Sequence, residues 1–207
     1  MKAVIFDMDG TIIDSSIAIE RTINDIRAEL KLEPLSSDFI IKAINEPGRN
    51  LALDLYNMQN PTAKLRDNFE ENFKINYAKY AKAYDGIEEL LKKCLDSGFG
   101  VALASNAPQN TLEDILKKCE IFKYFDFIVG ASSEIPQKPD PKMLLICTQK
   151  LSASKAIFVG DSLKDELAAK NANMPYIQVT WGFGKHSKTS DYNASSTNEA
   201  WSIIEEI

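Results

Sequence analysis

Short apolar runs that end in polar residues recur along this chain. Ala3-Val4-Ile5-Phe6 runs into Asp7-Met8-Asp9-Gly10-Thr11, and Val101-Ala102-Leu103-Ala104 into Ser105-Asn106. Phe127-Ile128-Val129 leads to a loop holding Lys138-Pro139-Asp140-Pro141, and Ala156-Ile157-Phe158-Val159 to Gly160-Asp161-Ser162, with Asp165 following. Runs without polar alternation predict strands buried on both faces, as in a parallel sheet. Between them the spacing turns helical: Tyr84-Asp85-Gly86 opens a helix through Leu90, Leu91 and Leu95 that Ser97-Gly98 closes. The alternation of strand and helix predicts an α/β protein with a doubly wound sheet.

One stretch breaks the alternation. After Asp14-Ser15, a good helix start, residues up to about 82 read as consecutive helices: Ile17, Ile23, Ile26 and Leu30 keep helical spacing, then Leu51, Leu55 and Met58, then Phe69, Phe73 and Tyr77. No strand signal interrupts them. The expected organisation is a core of residues 1–14 and 83–207 with an all-helical insertion at 15–82 that acts as a lid over the carboxylates.

Parallel strands joined by right-handed crossovers bring their carboxyl ends together, so the four polar clusters share one sheet edge, where α/β sheets bind ligands. In a strand, residues i and i+2 project to one side, which turns Asp7 and Asp9 toward the same site if the extended geometry persists that far. Asp7, Asp9, Asp161 and Asp165 ordinarily ionise near pH 3.9, and two such charges about 4 Å apart repel by roughly 4 kcal/mol at an effective dielectric of 20. The cluster therefore calls for a cation. Oxygen ligands without His or Cys suit a hard ion, Mg²⁺ first. Lys138 offsets part of the charge and meets a phosphoryl oxygen; Ser105 and the backbone N–H groups after Asp7 supply hydrogen bonds to the same group. A metal, a lysine, a hydroxyl and an ionised carboxylate describe phosphoryl transfer.

These clusters resemble, in order, the four motifs of the haloacid dehalogenase superfamily of phosphohydrolases: DMDGT the first, Ser105 the second, Lys138 the third and GDSLKD the fourth. The resemblance spans residues 1 to about 184 and implies a Rossmann-like core with an inserted helical cap. It implies that Asp7 is the nucleophile, forming an aspartyl-phosphate, and that Asp9 protonates the leaving oxygen and then activates water. The same resemblance assigns Mg²⁺ to the Asp7 side chain, the Asp9 backbone carbonyl and Asp161, with Asp165 supporting the metal's water shell and Lys138. It places Gly10, Thr11, Ser105, Asn106 and Lys138 around the phosphoryl group. A cap loop in this family closes on substrate, and Asn45-Glu46-Pro47-Gly48-Arg49-Asn50 is the segment expected to do so, with Arg49 binding a substrate carboxylate or second phosphate and hinges near Ser15 and Lys82. Trp181-Gly182-Phe183-Gly184 after Ile177-Gln178-Val179-Thr180 resembles phosphoglycolate phosphatase-like members, although packing accounts for the aromatics equally well.

Composition narrows the class without naming a substrate. The 207 residues are 44% hydrophobic and carry a formal charge of −6, which argues against general nucleic-acid affinity. No apolar run approaches the roughly 18 residues of a transmembrane helix, and the first strand starts at once without a signal peptide; the expectation is a cytoplasmic monomer or small homo-oligomer. Cys94, Cys119 and Cys147 read as buried reduced thiols. His186, the only histidine, falls in a polar tail and is not expected to act. Asn173 stands where relatives carry glycine and tolerates a left-handed conformation. Gln137 has no evident role. The function expected is a Mg²⁺-dependent phosphomonoesterase for a small phosphoglycolate-like metabolite. The two rivals are a phosphoglucomutase-like phosphotransferase and a low-turnover phospho-ligand binding module.

Overall fold

In chain order the elements are β1 (Lys2–Phe6), β2 (Ile13–Asp14), α1 (Ser16–Glu29), α2 (Ser37–Asn45), α3 (Leu51–Tyr56), α4 (Ala63–Tyr80), β3 (Lys82–Ala83), α5 (Ile87–Asp96), β4 (Gly100–Pro108), α6 (Leu112–Lys118), β5 (Phe127–Ala131), α7 (Lys142–Lys150), β6 (Lys155–Gly160), α8 (Leu163–Asn171), β7 (Tyr176–Val179), β8 (Tyr192–Ala194) and α9 (Thr197–Ile204). They come from a computed structural model that describes residues 1–207. The chain divides into two compact units, Met1–Asp14 with Ala83–Ile207, and Ser15–Lys82.

The first unit is a six-stranded sheet in the order β5-β4-β1-β6-β7-β8, parallel throughout. The central strand β1 pairs Ile5 with Ala102 on one side and Phe158 on the other. These residues share a buried cluster with Met143, Leu144 and Cys147 of α7 and Ala168 and Ala169 of α8. Their neighbours Val4, Phe6, Val101, Leu103, Ile157 and Val159 point to the opposite face and are equally buried. Burial on both faces is the physical reason these strands lack polar alternation, and it fits the Rossmann-like α/β fold.

The sequence pattern falls short at the sheet's margin. Residues beyond 184 are not a plain polar tail, because Tyr192–Ala194 adds the sixth strand, and α9 follows. A three-residue strand leaves no periodicity to read. The two-residue strands β2 and β3, which pair with each other, were equally silent. Asn173 does adopt the left-handed conformation, with φ 50°. It ends α8 as Met174 N–H bonds to the Ala169 carbonyl at 2.9 Å. The three cysteines are unpaired; Cys94 and Cys147 are buried, while Cys119 is partly exposed.

The second unit is helical. Ala18, Ile19, Thr22, Ile23 and Ile26 form the buried face of α1, so Ile17, expected on that face, is instead 53% exposed. In α4, Phe73 and Tyr77 stack with centroids 3.9 Å apart. The helix α3 stops before Met58 because Asn57 turns left-handed. No helix in either unit is long and apolar enough to cross a membrane.

The loop after β7 packs directly onto the turn after β1. Trp181 Nε1 donates to the Thr11 carbonyl at 2.8 Å, and a Cβ added at Gly182 would lie 1.9 Å from the Gly10 carbonyl oxygen. Only a glycine allows that backbone approach. Gly182→Ala is expected to cost about 2–3 kcal/mol and so lower Tm by roughly 4–12 °C. Gly98→Ala, at a left-handed residue with open space around it, should cost only about 1 kcal/mol. Calorimetry showing the two equal would refute the close-packed contact.

Candidate active site

Asp7 leaves the end of β1 still paired to the sheet, its N–H bonded to the Val159 carbonyl at 2.8 Å. The chain then turns sharply: the Met8 carbonyl accepts from Thr11, Ile12 and Ile13 N–H at 3.3, 3.0 and 2.9 Å, and Gly10 takes φ 79°. Extended geometry therefore does not persist to Asp9, which bridges to Ile13 instead and remains partly exposed. Asp9 still lies close enough to add negative potential to Asp7 and Asp161. The Gly10 N–H is committed to the Ile13 carbonyl at 2.9 Å, and that of Thr11 to Met8. Expected as phosphoryl donors, these two amides instead hold the turn. What Thr11 offers the site is its hydroxyl, 3.3 Å from Asp7 Oδ2.

Lys138 enters from the loop after β5 and is buried to 3% exposure. Its ammonium donates to Asp7 Oδ1 at 2.5 Å and to the Ala104 carbonyl at 2.9 Å, and pairs with Asp165 Oδ1 at 2.7 Å. Two hydrogen bonds and a close ion pair thus surround the ammonium, the condition for keeping it out of water. Phe158 lies beneath it, its ring centroid 5.2 Å away. Burial opposes the charge, but Asp165 and Asp7 outweigh it and hold the Lys138 pKa above its ordinary value.

Asn106 and Ser105 sit where β4 loses register with β5, between Ser105 and Pro108. The Asn106 side chain brackets Lys138: Oδ1 accepts from its N–H at 2.7 Å and Nδ2 donates to its carbonyl at 3.2 Å. Gln137 Nε2 completes the tie by donating to the Asn106 carbonyl at 3.2 Å. The Asn106 amide therefore orients the lysine rather than pointing freely at a ligand. Ser105, 1% exposed, accepts from Ala107 N–H at 3.1 Å, which leaves its hydroxyl proton for another acceptor.

The last cluster opens α8 with a capping box. Ser162 Oγ accepts from Asp165 N–H at 3.3 Å, and Asp165 Oδ2 accepts from the Ser162 N–H at 3.1 Å and its hydroxyl at 2.5 Å. With Oδ1 on Lys138, both Asp165 oxygens have protein partners. Asp161 contrasts with it: Oδ2 is buried with neither a hydrogen-bond partner nor an ion pair, whereas Asp165 Oδ1 has the ion pair to Lys138. Carboxylate oxygens of Asp7, Asp161 and Asp165 lie within 4.8 Å of one another; the Asp9 carboxylate is not in that group. Burial, together with Asp165 and Asp9, raises the Asp7 pKa to about 7 against the pull of Lys138. Burial and then Asp7 raise that of Asp161. Three buried carboxylates against one ammonium, with one oxygen unpartnered, fit a hard divalent cation bound through oxygen.

Arg49 belongs to the helical unit, where its Nε meets Asp54 at 2.7 Å and Nη1 meets Glu46 at 2.8 Å, with Phe39 beneath the guanidinium. Two carboxylates around one arginine leave the group net negative, a poor setting for an anion. Sequence reasoning missed Gln178, whose Nε2 donates to the Asp161 carbonyl at 2.6 Å. A glutamine inside a wholly buried strand was the signal that could have found it. His186 is exposed, and the structure gives it no part in this cluster.

The profile of the haloacid dehalogenase-like hydrolases matches residues 4–179. A phosphoglycolate phosphatase of Aquifex aeolicus is 29% identical over 212 residues, spanning 99% of this chain and 97% of the relative. One from Vibrio parahaemolyticus is 28% identical over 219 residues, spanning 99% and 96%. A haloacid dehalogenase-like hydrolase of Streptococcus pneumoniae superposes with TM-score 0.84 over 98% of this chain and 97% of its own, at 24% identity, a likeness of fold.

A carboxyl whose folded pKa is raised binds its proton more tightly folded than unfolded, so its contribution to stability falls as pH climbs from about 4 to about 7. Asp7 and Asp161 both have this sign. In chelator, Asp161→Asn should raise Tm above wild type by about 2–4 °C at pH 8, with the gain shrinking at pH 5. Calorimetry that finds the variant no more stable at pH 8 removes the buried negative charge as the governing cause.

Proposed function

The chain belongs to the haloacid dehalogenase-like hydrolases, and from that premise we propose a Mg²⁺-dependent phosphomonoesterase that acts through an aspartyl-phosphate on a small phosphorylated metabolite, phosphoglycolate first. The observation that supports it most is the ammonium of Lys138 held between Asp7 and Asp165 beside the unpartnered Asp161 oxygen. The substrate rests on the names of the full-length relatives. Asp7 and Asp161, with the Asp9 carbonyl, would hold Mg²⁺, and Asp165 would support it from behind. When bound, the ion neutralises these carboxylates and withdraws charge from a phosphoryl oxygen. The helical unit at Ser15–Lys82 is assigned as the family's cap, and the cytoplasm as the compartment.

In the first step an Asp7 oxygen bonds to phosphorus as the ester P–O bond breaks, and Asp9 passes its proton to the departing alkoxide. In the second, Asp9 takes a proton from water, the hydroxide oxygen bonds to phosphorus, and the Asp7 carboxylate leaves as phosphate forms. Asp9 is suited to both transfers because it lies beside the buried cluster and is partly exposed to solvent. Lys138 keeps Asp7 aimed and offsets charge on the phosphoryl oxygens, while the Ser105 hydroxyl donates to them. Asn106 serves by fixing the lysine backbone. Arg49 is left out of this reading, since its own carboxylate partners already satisfy it.

A phosphate-release assay over small phosphate esters should show turnover of 2-phosphoglycolate that EDTA abolishes and Mg²⁺ restores. Asp7→Asn is expected to lower kcat by roughly 10³-fold or more, and Asp9→Asn by about 10²–10⁴-fold. Near-normal turnover by Asp7→Asn, or hydrolysis indifferent to chelator, would overturn the proposal.

A further inference from the structure

We propose that Gln178, oriented by Tyr176, is a positioning residue that aims the Asp161 carboxylate at the divalent cation, an inference that rests on the metal-dependent reading above. The Asp161 Oδ2 atom has no protein donor to fix it. A carboxylate in that state is aimed by its backbone alone. The Asp161 carbonyl receives Gln178 Nε2 at 2.6 Å, and the same amide reaches the Val179 carbonyl at 3.2 Å. Its oxygen accepts from the Tyr176 hydroxyl at 3.0 Å, and that hydroxyl also lies 3.4 Å from the Ser162 carbonyl. Tyr176 and Gln178 thus tie β7 to Asp161 and Ser162 of the fourth polar cluster.

The fold leaves room for this amide and little else. Gly160 is the register partner of Gln178 across β6 and β7, and a Cβ there would meet the Asp165 side chain at 2.7 Å. A Cβ on Gly184 would meet both the Asp161 carbonyl and Gln178 Nε2 at 2.6 Å. Gln178 itself is 3% exposed and Tyr176 1%, and neither touches the nucleophile. A glutamine fully hydrogen-bonded inside an apolar strand needs a reason to be there, since buried polar groups are tolerated only when paired. Holding a backbone whose side chain must face a metal is that reason, and outer partners of this kind typically set about 10–100-fold of metal affinity.

The test compares wild type, Gln178→Met and Tyr176→Phe, with folding checked by circular dichroism and Mn²⁺ binding followed by electron paramagnetic resonance. Methionine keeps the length of glutamine without its donors. For Gln178→Met the Mn²⁺ dissociation constant should rise about 10–100-fold. The Mg²⁺ concentration for half-maximal phosphatase activity should rise in parallel, with kcat at saturating Mg²⁺ little changed. Tyr176→Phe should shift both in the same direction by less. A folded Gln178→Met with wild-type Mn²⁺ affinity, or a loss confined to kcat, overturns the inference while leaving the phosphatase reading standing. If Gln178→Met does not fold, unchanged Mn²⁺ affinity in Tyr176→Phe overturns it. A wild-type protein that binds no Mn²⁺ overturns both.

Discussion

The burial of one ammonium between two carboxylates governs the rest of this molecule. Taking Lys138 out of water is costly unless every N–H finds an acceptor, and breaking such a pair typically costs about 3–5 kcal/mol because the remaining charge is stranded. Its three partners come from different places in the chain: Asp7 at the end of β1, the Ala104 carbonyl on β4, and Asp165 in the first turn of α8. Lys138 itself follows β5. Since the sheet order is β5-β4-β1-β6, the lysine reaches past β4 to β1 and to the helix after β6. The parallel sheet, with its carboxyl ends adjacent, brings these partners together, so the ion pair and the topology support each other.

Residues that start structural elements are reused to hold the site. Asp165 is the third residue of α8, where its Oδ2 closes the capping box on Ser162, while its other oxygen receives Lys138. A helix start therefore fixes the counter-ion without further machinery, and the favourable placement of a carboxylate at a helix N-terminus supports its charge. Asn106 acts likewise on the lysine: an asparagine at the register break of β4 supplies the donor and acceptor that a loop peptide would otherwise lack. Lys138, Ser162 and Asp165 are buried, which holds these contacts rigid. Asp9, by contrast, is left partly open to solvent.

The sheet was legible because its strands are buried on both faces, which forces apolar runs and puts the polar residues at their ends. Asp7, Ser105 and Asp161 stand at the ends of apolar runs as that rule requires, whereas Lys138 and Asp165 lie farther along and were singled out with the help of the family motifs. Their partners could not be named from the rule or the motifs. Residue type shows that Thr11 and Asn106 carry hydrogen-bonding groups but not that the Thr11 amide is taken by Met8 or that the Asn106 amide is taken by Lys138. Ile17 followed the helical spacing yet faces out, because spacing gives a stripe and not its edge. The strand Tyr192–Ala194 left no pattern, being stabilised by pairing with β7 and by Asp191 accepting from the Tyr176 N–H at 3.0 Å.

Committed and uncommitted atoms divide the cluster by role. Atoms with fixed partners, such as both Asp165 oxygens and the Asn106 amide, hold geometry. Asp161 Oδ2 is the buried carboxylate oxygen without a partner of either kind, and an orphaned acceptor is costly unless something outside the chain completes it. That asymmetry between Asp161 and Asp165, two acids four residues apart on one motif, is set by Ser162 and Lys138 satisfying one and leaving the other. A protein that needed only stability would have satisfied both. The unmatched oxygen beside a raised Asp7 therefore marks where binding energy from a cation converts a repulsive pocket into one able to accept a phosphoryl group.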